Sequence, residues 1–190
     1  MSVRDGLLAI LSLGPAYGLQ LHSELASRAP HRGPVNVGQI YATLDRLISR
    51  GLAEDAGATT DGLPLYVLTA AGRRAAEDWA SRAQIETAPD WVEMLDQVLI
   101  TATIDPESSR SLAGQYRDWW LAEAERTALP ADGDLRSDVL LARSARRGLA
   151  AAALAWLADV ADAELDPARP LSPIRPRRGR RPAVRPSSAA

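Results

Sequence analysis

"VNVGQIYATLDRLISRGL", residues 35–52, is the stretch whose reading decides the fold. Asn36 stands where a helix takes its N-cap, and Gln39 follows three residues on, the Asn/Gln form of a capping box. Ile40, Leu44, Leu47 and Ile48 recur at helical spacing as one apolar stripe, and Gly51 is placed to end the helix at C′. The spacing therefore predicts a short amphipathic helix whose other side carries Gln39, Ala42, Thr43, Arg46, Ser49 and Arg50. Those are residues suited to base edges. Gln bonds adenine through two hydrogen bonds, Thr donates to a base or touches a thymine methyl, and Arg binds guanine or a phosphate. Gly38 and Ala42 are small enough for close approach to a groove. Asp45 opposes that reading unless it pairs with Arg46 or Arg50 or accepts from a cytosine. The alternative is an ordinary solvated helix face.

Working outward, the upstream chain supplies two more helices. Residues 3–13 place Leu7, Leu8, Ile10 and Leu11 together before Gly14-Pro15, and Leu21 and Leu25 mark a second helix from Tyr17 to Arg28. "PHRGP", residues 30–34, is a loop. Downstream, "LAEDA" and "LPLYVLT" flank "GATTDG" as a hairpin with a loose tip, and Thr69 caps the helix "AAGRRAAEDWASRA". Helix, helix, helix, hairpin, helix is the order of a winged helix-turn-helix.

The rest reads as helices with capped joints. Asp90 and Glu93 cap "WVEMLDQVLITATI"; Pro106 sits at the first position of a long helix from Asp105-Pro106 onward; "PADGD" breaks the chain before a last helix, roughly 135–165. The expected fold is mainly α: a winged helix-turn-helix with a small two-stranded β-wing over residues 1–80, then an α-helical dimerisation domain over 81–166. From 167 to 190, Pro, Arg, Ser and Ala dominate without apolar periodicity, which reads as a disordered tail.

Composition narrows the function. Among 190 residues there is no Cys, so neither a disulfide framework nor a thiolate site is available. His22 and His31 have no ligand spacing, so no metal or other cofactor is expected. "LLAILSL" follows Asp5 and precedes no small-residue cleavage site, which disfavours a signal peptide, and "GLAAAALAWLA" is too short to span a bilayer. The expectation is a cytoplasmic protein with no membrane partner. No nucleophile-elbow, P-loop or dinucleotide fingerprint is present, which argues against an enzyme.

Three stretches, "LLAILSLGPAYGLQLHSEL", "VNVGQIYATLDRLISRGLAE" and "YVLTAAGRRA", resemble the PadR-type bacterial transcriptional regulators. The match runs through Gly14, Pro15, Gly18, Tyr41, Leu44, Leu47, Gly51, Leu52, Tyr66, Leu68, Thr69 and Gly72. "ALAWLADV" is similar, more loosely, to the closing helix of the longer subgroup, which dimerises through a multi-helix C-terminal domain. The resemblance implies a homodimer that binds a near-palindromic double-stranded DNA operator as a repressor, released by a small aromatic effector. On that reading the DNA-binding residues are Asn36, Gln39, Tyr41, Thr43, Arg46 and Arg50, with Arg73 beside them. The sequence departs from the family at the wing: "ATTDGLPLY" carries Asp61 and no cation, leaving Thr59, Thr60 and backbone N–H groups to meet phosphate. A winged-helix adaptor or antirepressor that contacts protein instead of DNA is the competing function.

In the last helix Leu149, Ala153, Trp156 and Val160 form one stripe, and Leu154, Leu157 and Ala161 a second. A helix apolar on two sides needs two partners, which a twofold dimer supplies. All five Trp fall beyond residue 76; Trp79 and Trp91, near the joint between the halves, are the candidates for stacking a planar effector. Charge is uneven: residues 1–75 carry 7 Arg against 6 acids, 76–166 carry 8 against 18, and 167–190 carry 7 and none. The tail therefore either strengthens salt-sensitive DNA binding or is a solvated extension.

Overall fold

A computed structural model describes residues 3–128 and 136–173. Its order is α1 (Val3–Leu11), β1 (Ala16–Tyr17), α2 (Gly18–Arg28), α3 (Val37–Ser49), β2 (Ala53–Ala58), β3 (Pro64–Leu68), α4 (Ala70–Ser81), α5 (Trp91–Ala102), α6 (Pro106–Ala128) and α7 (Ser137–Asp162). The architecture is mainly helical, with the winged helix first and three helices after it. The sheet holds one strand more than expected. Ala16 and Tyr17 pair antiparallel with Tyr66 and Leu65, giving the order β1-β3-β2, so the wing is anchored to the turn before α2.

The first core gathers Leu7, Leu8, Ile10, Leu21, Leu25, Ile40, Leu44, Leu47 and Leu68 from α1, α2, α3 and the sheet. The second gathers Met94, Val98, Leu112, Tyr116, Trp120, Ala153 and Leu157 from α5, α6 and α7. α5 serves both, because Ile100 lies in the first cluster while Met94 and Val98 lie in the second. The expected boundary at residue 80 thus marks the end of α4, but the lobes share a helix.

Caps explain where helices start. Asn36 accepts from Gly38 N–H at 2.7 Å, Thr69 from Gly72 N–H at 3.1 Å and Asp90 from Glu93 N–H at 3.0 Å. α3 ends in a Schellman motif: Gly51, with φ +66°, donates to Ile48 O, and Leu52 N–H donates to Leu47 O, each at 2.9 Å. At Gly72 a Cβ would overlap the carbonyl oxygen of Leu52, so only glycine lets α4 approach the turn after α3. Thr69 completes that joint, donating its hydroxyl to Gly51 O at 2.6 Å.

Buried charge ties the two lobes. Arg28 is 1% exposed; it donates to Glu24 at 2.8 Å and to the hydroxyl of Thr103, after α5, at 2.7 Å. Burial pulls its pKa below the usual arginine value, partly offset by Glu24. Asp96 of α5, 3% exposed, receives a bidentate contact from Arg32 and lies 3.0 Å from His31, both in the turn before α3. The link from α4 to α5 is fastened likewise. Gln97 donates to the carbonyls of Trp79 and Arg82 and accepts from the Tyr116 hydroxyl.

The tail departs from expectation at its start. Residues 167–173 lie along α2, with Leu171 packed on the first core. Local composition could not show this, because the polar partners are Glu24 and Arg28, far away in sequence. The remainder of the expected tail, 174–190, lies outside the described residues.

Candidate nucleic-acid interface

α3 is held by its inner face and leaves its outer face bare. Ile40, Leu44 and Leu47 are buried as expected, and Asn36, Gln39, Ala42, Arg46, Ser49 and Arg50 are exposed. Two positions are corrected. Thr43, expected on the reading face, is 2% exposed; its hydroxyl donates to Gln39 O at 2.7 Å and accepts from Arg46 Nη2 at 3.0 Å. It orients Arg46 and cannot itself reach a base. Ile48, expected in the stripe, is 39% exposed.

Tyr41 is half-buried against α2. A Cβ on Gly18 would come within 2.6 Å of its ring, so Gly18 and Tyr41 fix the spacing of the two helices. Tyr66 lies close to it; burial raises its hydroxyl pKa, and Tyr41, Asp45 and Asp55 push the same way. Tyr41 is thus first a packing residue.

Beside the outer face runs a cleft of about 260 Å³ lined by Val3, Arg4, Gln39, Thr43, Arg46, Leu47 and Arg50. Arg4 brings α1 into the site, placing three guanidinium groups around one cleft, a donor set matched to phosphate or guanine. Helical patterning of α3 could not predict Arg4; only its packing against α1 does.

The wing is the opposite. Glu54 and Asp55 on β2 and Asp61 at the tip are exposed, and no Arg lies between Arg50 and Arg73. Thr59, expected as a phosphate donor, is spent on the tip: its hydroxyl donates to Asp61 at 2.6 Å and accepts from Leu63 N–H at 3.0 Å. Thr60 and Arg73 are exposed.

The expected dimer stripe is corrected as well. Ala153, Leu157 and Val160 are buried within the chain's own second core, and Trp156 packs edge-on against Trp91 with centroids 6.0 Å apart. Of the five, Leu149 stays exposed, at 40%. It belongs to the first half of α7, where Val139, Leu140 and Leu141 are exposed too, and Leu141 reaches 70%. Trp79 and Trp91 do not share a cavity. Trp79 packs against the first core beside a hollow of about 70 Å³ lined by Asp5, Gln84, Glu93 and Asp96, whereas Trp91 joins the second core. That hollow is far below the ~300 Å³ of ordinary ligand sites. Among the described residues no group of His, Asp or Glu is placed to hold a metal ion, and no helix is long and apolar enough to cross a membrane.

This helical frame, with its glycine-tight joints and a bare basic helix face, coincides with a family match. Residues 7–78 match the transcriptional regulator PadR-like family. They form a PadR-like domain. Both glycine joints, Gly18 on Tyr41 and Gly72 on Leu52, fall inside it. The crystal structure of Bacillus subtilis PadR in complex with operator DNA is 18% identical, with a TM-score of 0.40, over 84% of this chain and 97% of that one. The same protein in complex with p-coumaric acid is 18% identical, with a TM-score of 0.37, over 84% and 96%. Among curated proteins nothing matches the chain.

Proposed function

We propose that the protein is a cytoplasmic transcriptional repressor, without enzymatic activity, that binds a near-palindromic DNA operator as a homodimer. The observation that carries this reading is the face of α3. Gln39, Arg46 and Arg50 are exposed on α3 of a PadR-like domain, with Arg4 of α1 beside them, and no other element among the described residues covers them. Asn36 holds the helix start, and Thr43 aims Arg46. A dimer with its half-sites one helical turn apart would space the two copies of α3 by ~34 Å.

The dimer reading rests on the first half of α7. Val139, Leu140, Leu141 and Leu149 are exposed large apolar side chains in that segment, and packing against a second copy would bury some of them. Sedimentation at micromolar concentration should give twice the 20.4 kDa chain mass, and a 20.4 kDa species would reject the dimer. Release by a small aromatic effector belongs to the same reading. Phenolic acids that change neither Trp fluorescence nor DNA release would contradict it.

A gel shift on the duplex upstream of the protein's own coding region, at two salt concentrations, tests the repressor reading. A sequence-dependent shift that weakens with salt is expected. One observation favours the second reading, an adaptor that contacts protein. The wing presents Glu54, Asp55 and Asp61, which repel phosphate. No sequence-dependent shift at low salt would decide for it.

A further inference from the structure

Asp45 stands on the exposed arc of α3 with nothing to hold it. Among the described residues its carboxylate makes no ion pair or hydrogen bond. The cations nearest in sequence are turned away from it: Arg46 donates to the Thr43 hydroxyl at 3.0 Å, and Arg50 lines the cleft shared with α1. Ser49, one turn on, gives its hydroxyl to Arg46 O at 3.0 Å. At about 100° per residue the exposed arc therefore has two edges. Gln39, Arg46 and Arg50 form the edge beside Arg4 and the cleft. Asp45 forms the other, about 60° past Ala42, on the side of the half-buried Tyr41. The wing borders that edge, since Tyr66 feels Asp45 and Asp55 as well as Tyr41, each pushing its hydroxyl pKa upward.

A carboxylate in that place is costly for a helix that docks on DNA. It accepts hydrogen bonds and cannot donate them, and phosphate repels it. In the major groove guanine and thymine present no donor, so either base opposite Asp45 leaves the carboxylate dehydrated and unpaired. Adenine sets its N7 acceptor beside the N6 amino group. Cytosine alone offers an amino donor, N4, with no acceptor next to it on its own edge. Gly38 and Ala42, the neighbours of Asp45 on the exposed arc, are too small to hold that edge away.

We propose that Asp45 is a specificity-determining residue, accepting from the N4 amino group of a cytosine in the major groove at the wing-side edge of α3. The assignment rests on the DNA-binding reading above, in which the opposite edge supplies the cations. Asp45 then contributes selectivity and little affinity. The matching base satisfies it, and any other leaves a desolvated charge without a donor.

The test selects binding sites from a pool of duplexes with a randomised central stretch, using the full chain, Asp45→Ala and Asp45→Asn. Because Asp45 is exposed and unbonded, all three should melt at the same temperature. The unaltered chain should return half-sites with a fixed cytosine. Asp45→Ala should lose the requirement at that position only, and Asp45→Asn, which adds a donor, should move it towards adenine. On the tightest selected duplex that cytosine is then exchanged for thymine, or for N4-methylcytosine, whose methyl group takes the place of the free amino hydrogen. Either exchange should weaken the unaltered chain at least about fivefold and Asp45→Ala less than about twofold. An Asp45→Ala chain that returns the same sites as the unaltered one overturns the assignment, whether its affinity is unchanged or rises uniformly, as removal of a phosphate-repelling charge would make it. So does relaxation at a pair that is not C·G, or the loss of every base preference at once. If the unaltered chain returns no common sequence, the DNA-binding reading falls and the role of Asp45 with it; common sites that are indifferent to Asp45→Ala sink the assignment alone.

Discussion

α3 and the wing stand side by side on one sheet-and-helix frame and carry opposite charge. α3 exposes Arg46 and Arg50, with Arg4 beside them; the wing exposes Glu54, Asp55 and Asp61 and no cation. Both are rigidly held, the helix by its inner apolar face and the wing by a third strand and the Thr69–Gly72 joint. The difference teaches that a shared frame fixes where two surfaces sit without fixing what each can touch. On this account the helix reads, and the wing keeps its distance from phosphate.

The largest effect should come from breaking the frame that sets the two side by side. Gly72→Ala drives a Cβ into the Leu52 carbonyl, a backbone atom that cannot swing away. A loss of about 3 kcal/mol or more in chemical denaturation is expected. A variant as stable as the parent would show that the joint is looser than described.

Next come the helix cations. Arg46→Ala or Arg50→Ala should each weaken binding to a specific duplex by about 1–3 kcal/mol where the side chain meets a base. Where it meets a phosphate, the salt slope should drop by about 0.9 instead. Fluorescence anisotropy over a salt series separates the two. Stability should be unaffected, since both side chains are exposed.

Neutralising the wing, with Glu54→Gln, Asp55→Asn and Asp61→Asn together, should tighten DNA binding by about two- to fivefold at low salt. Weaker binding would mean that the acids position the wing, and the contrast with α3 would fail. The smallest effect belongs to Thr43→Val. Its buried hydroxyl serves Gln39 and Arg46, so the change should cost about 1 kcal/mol of stability and alter DNA affinity by less than about threefold. A larger loss of affinity in that variant would show that the aiming of Arg46 by Thr43 matters more to binding than this account assigns it.

Much of this domain was legible in the sequence because its signals are local. Caps at Asn36, Thr69 and Asp90, the Schellman glycine at Gly51 and the stripe Ile40, Leu44, Leu47 each depend on residues within one or two turns. Thr43 and Ile48 exchanged roles because about 100° per residue puts both at the rim of the buried arc, and α1 closes over the Thr43 side. Hydrophobicity alone ranked them the other way. The buried charges were beyond local reading. Arg28 meets Thr103 and the 169–170 carbonyls, and Arg32 meets Asp96, all through long sequence separations. In α7 the pattern named apolar stripes correctly but not their partners. Ala153, Leu157 and Val160 went to the chain's own core, and the exposed large apolar residues of α7 are Val139, Leu140, Leu141 and Leu149.

The most direct test is a competition measured by anisotropy at ~0.15 M salt, between the duplex upstream of the protein's own coding region and a random duplex of equal length. The account predicts at least about a thousandfold preference for the upstream duplex in the unaltered chain. It also predicts that the Arg46→Ala/Arg50→Ala double variant loses that preference while melting at the same temperature. Equal affinity of the unaltered chain for both duplexes, or an undiminished preference in the double variant, would contradict it.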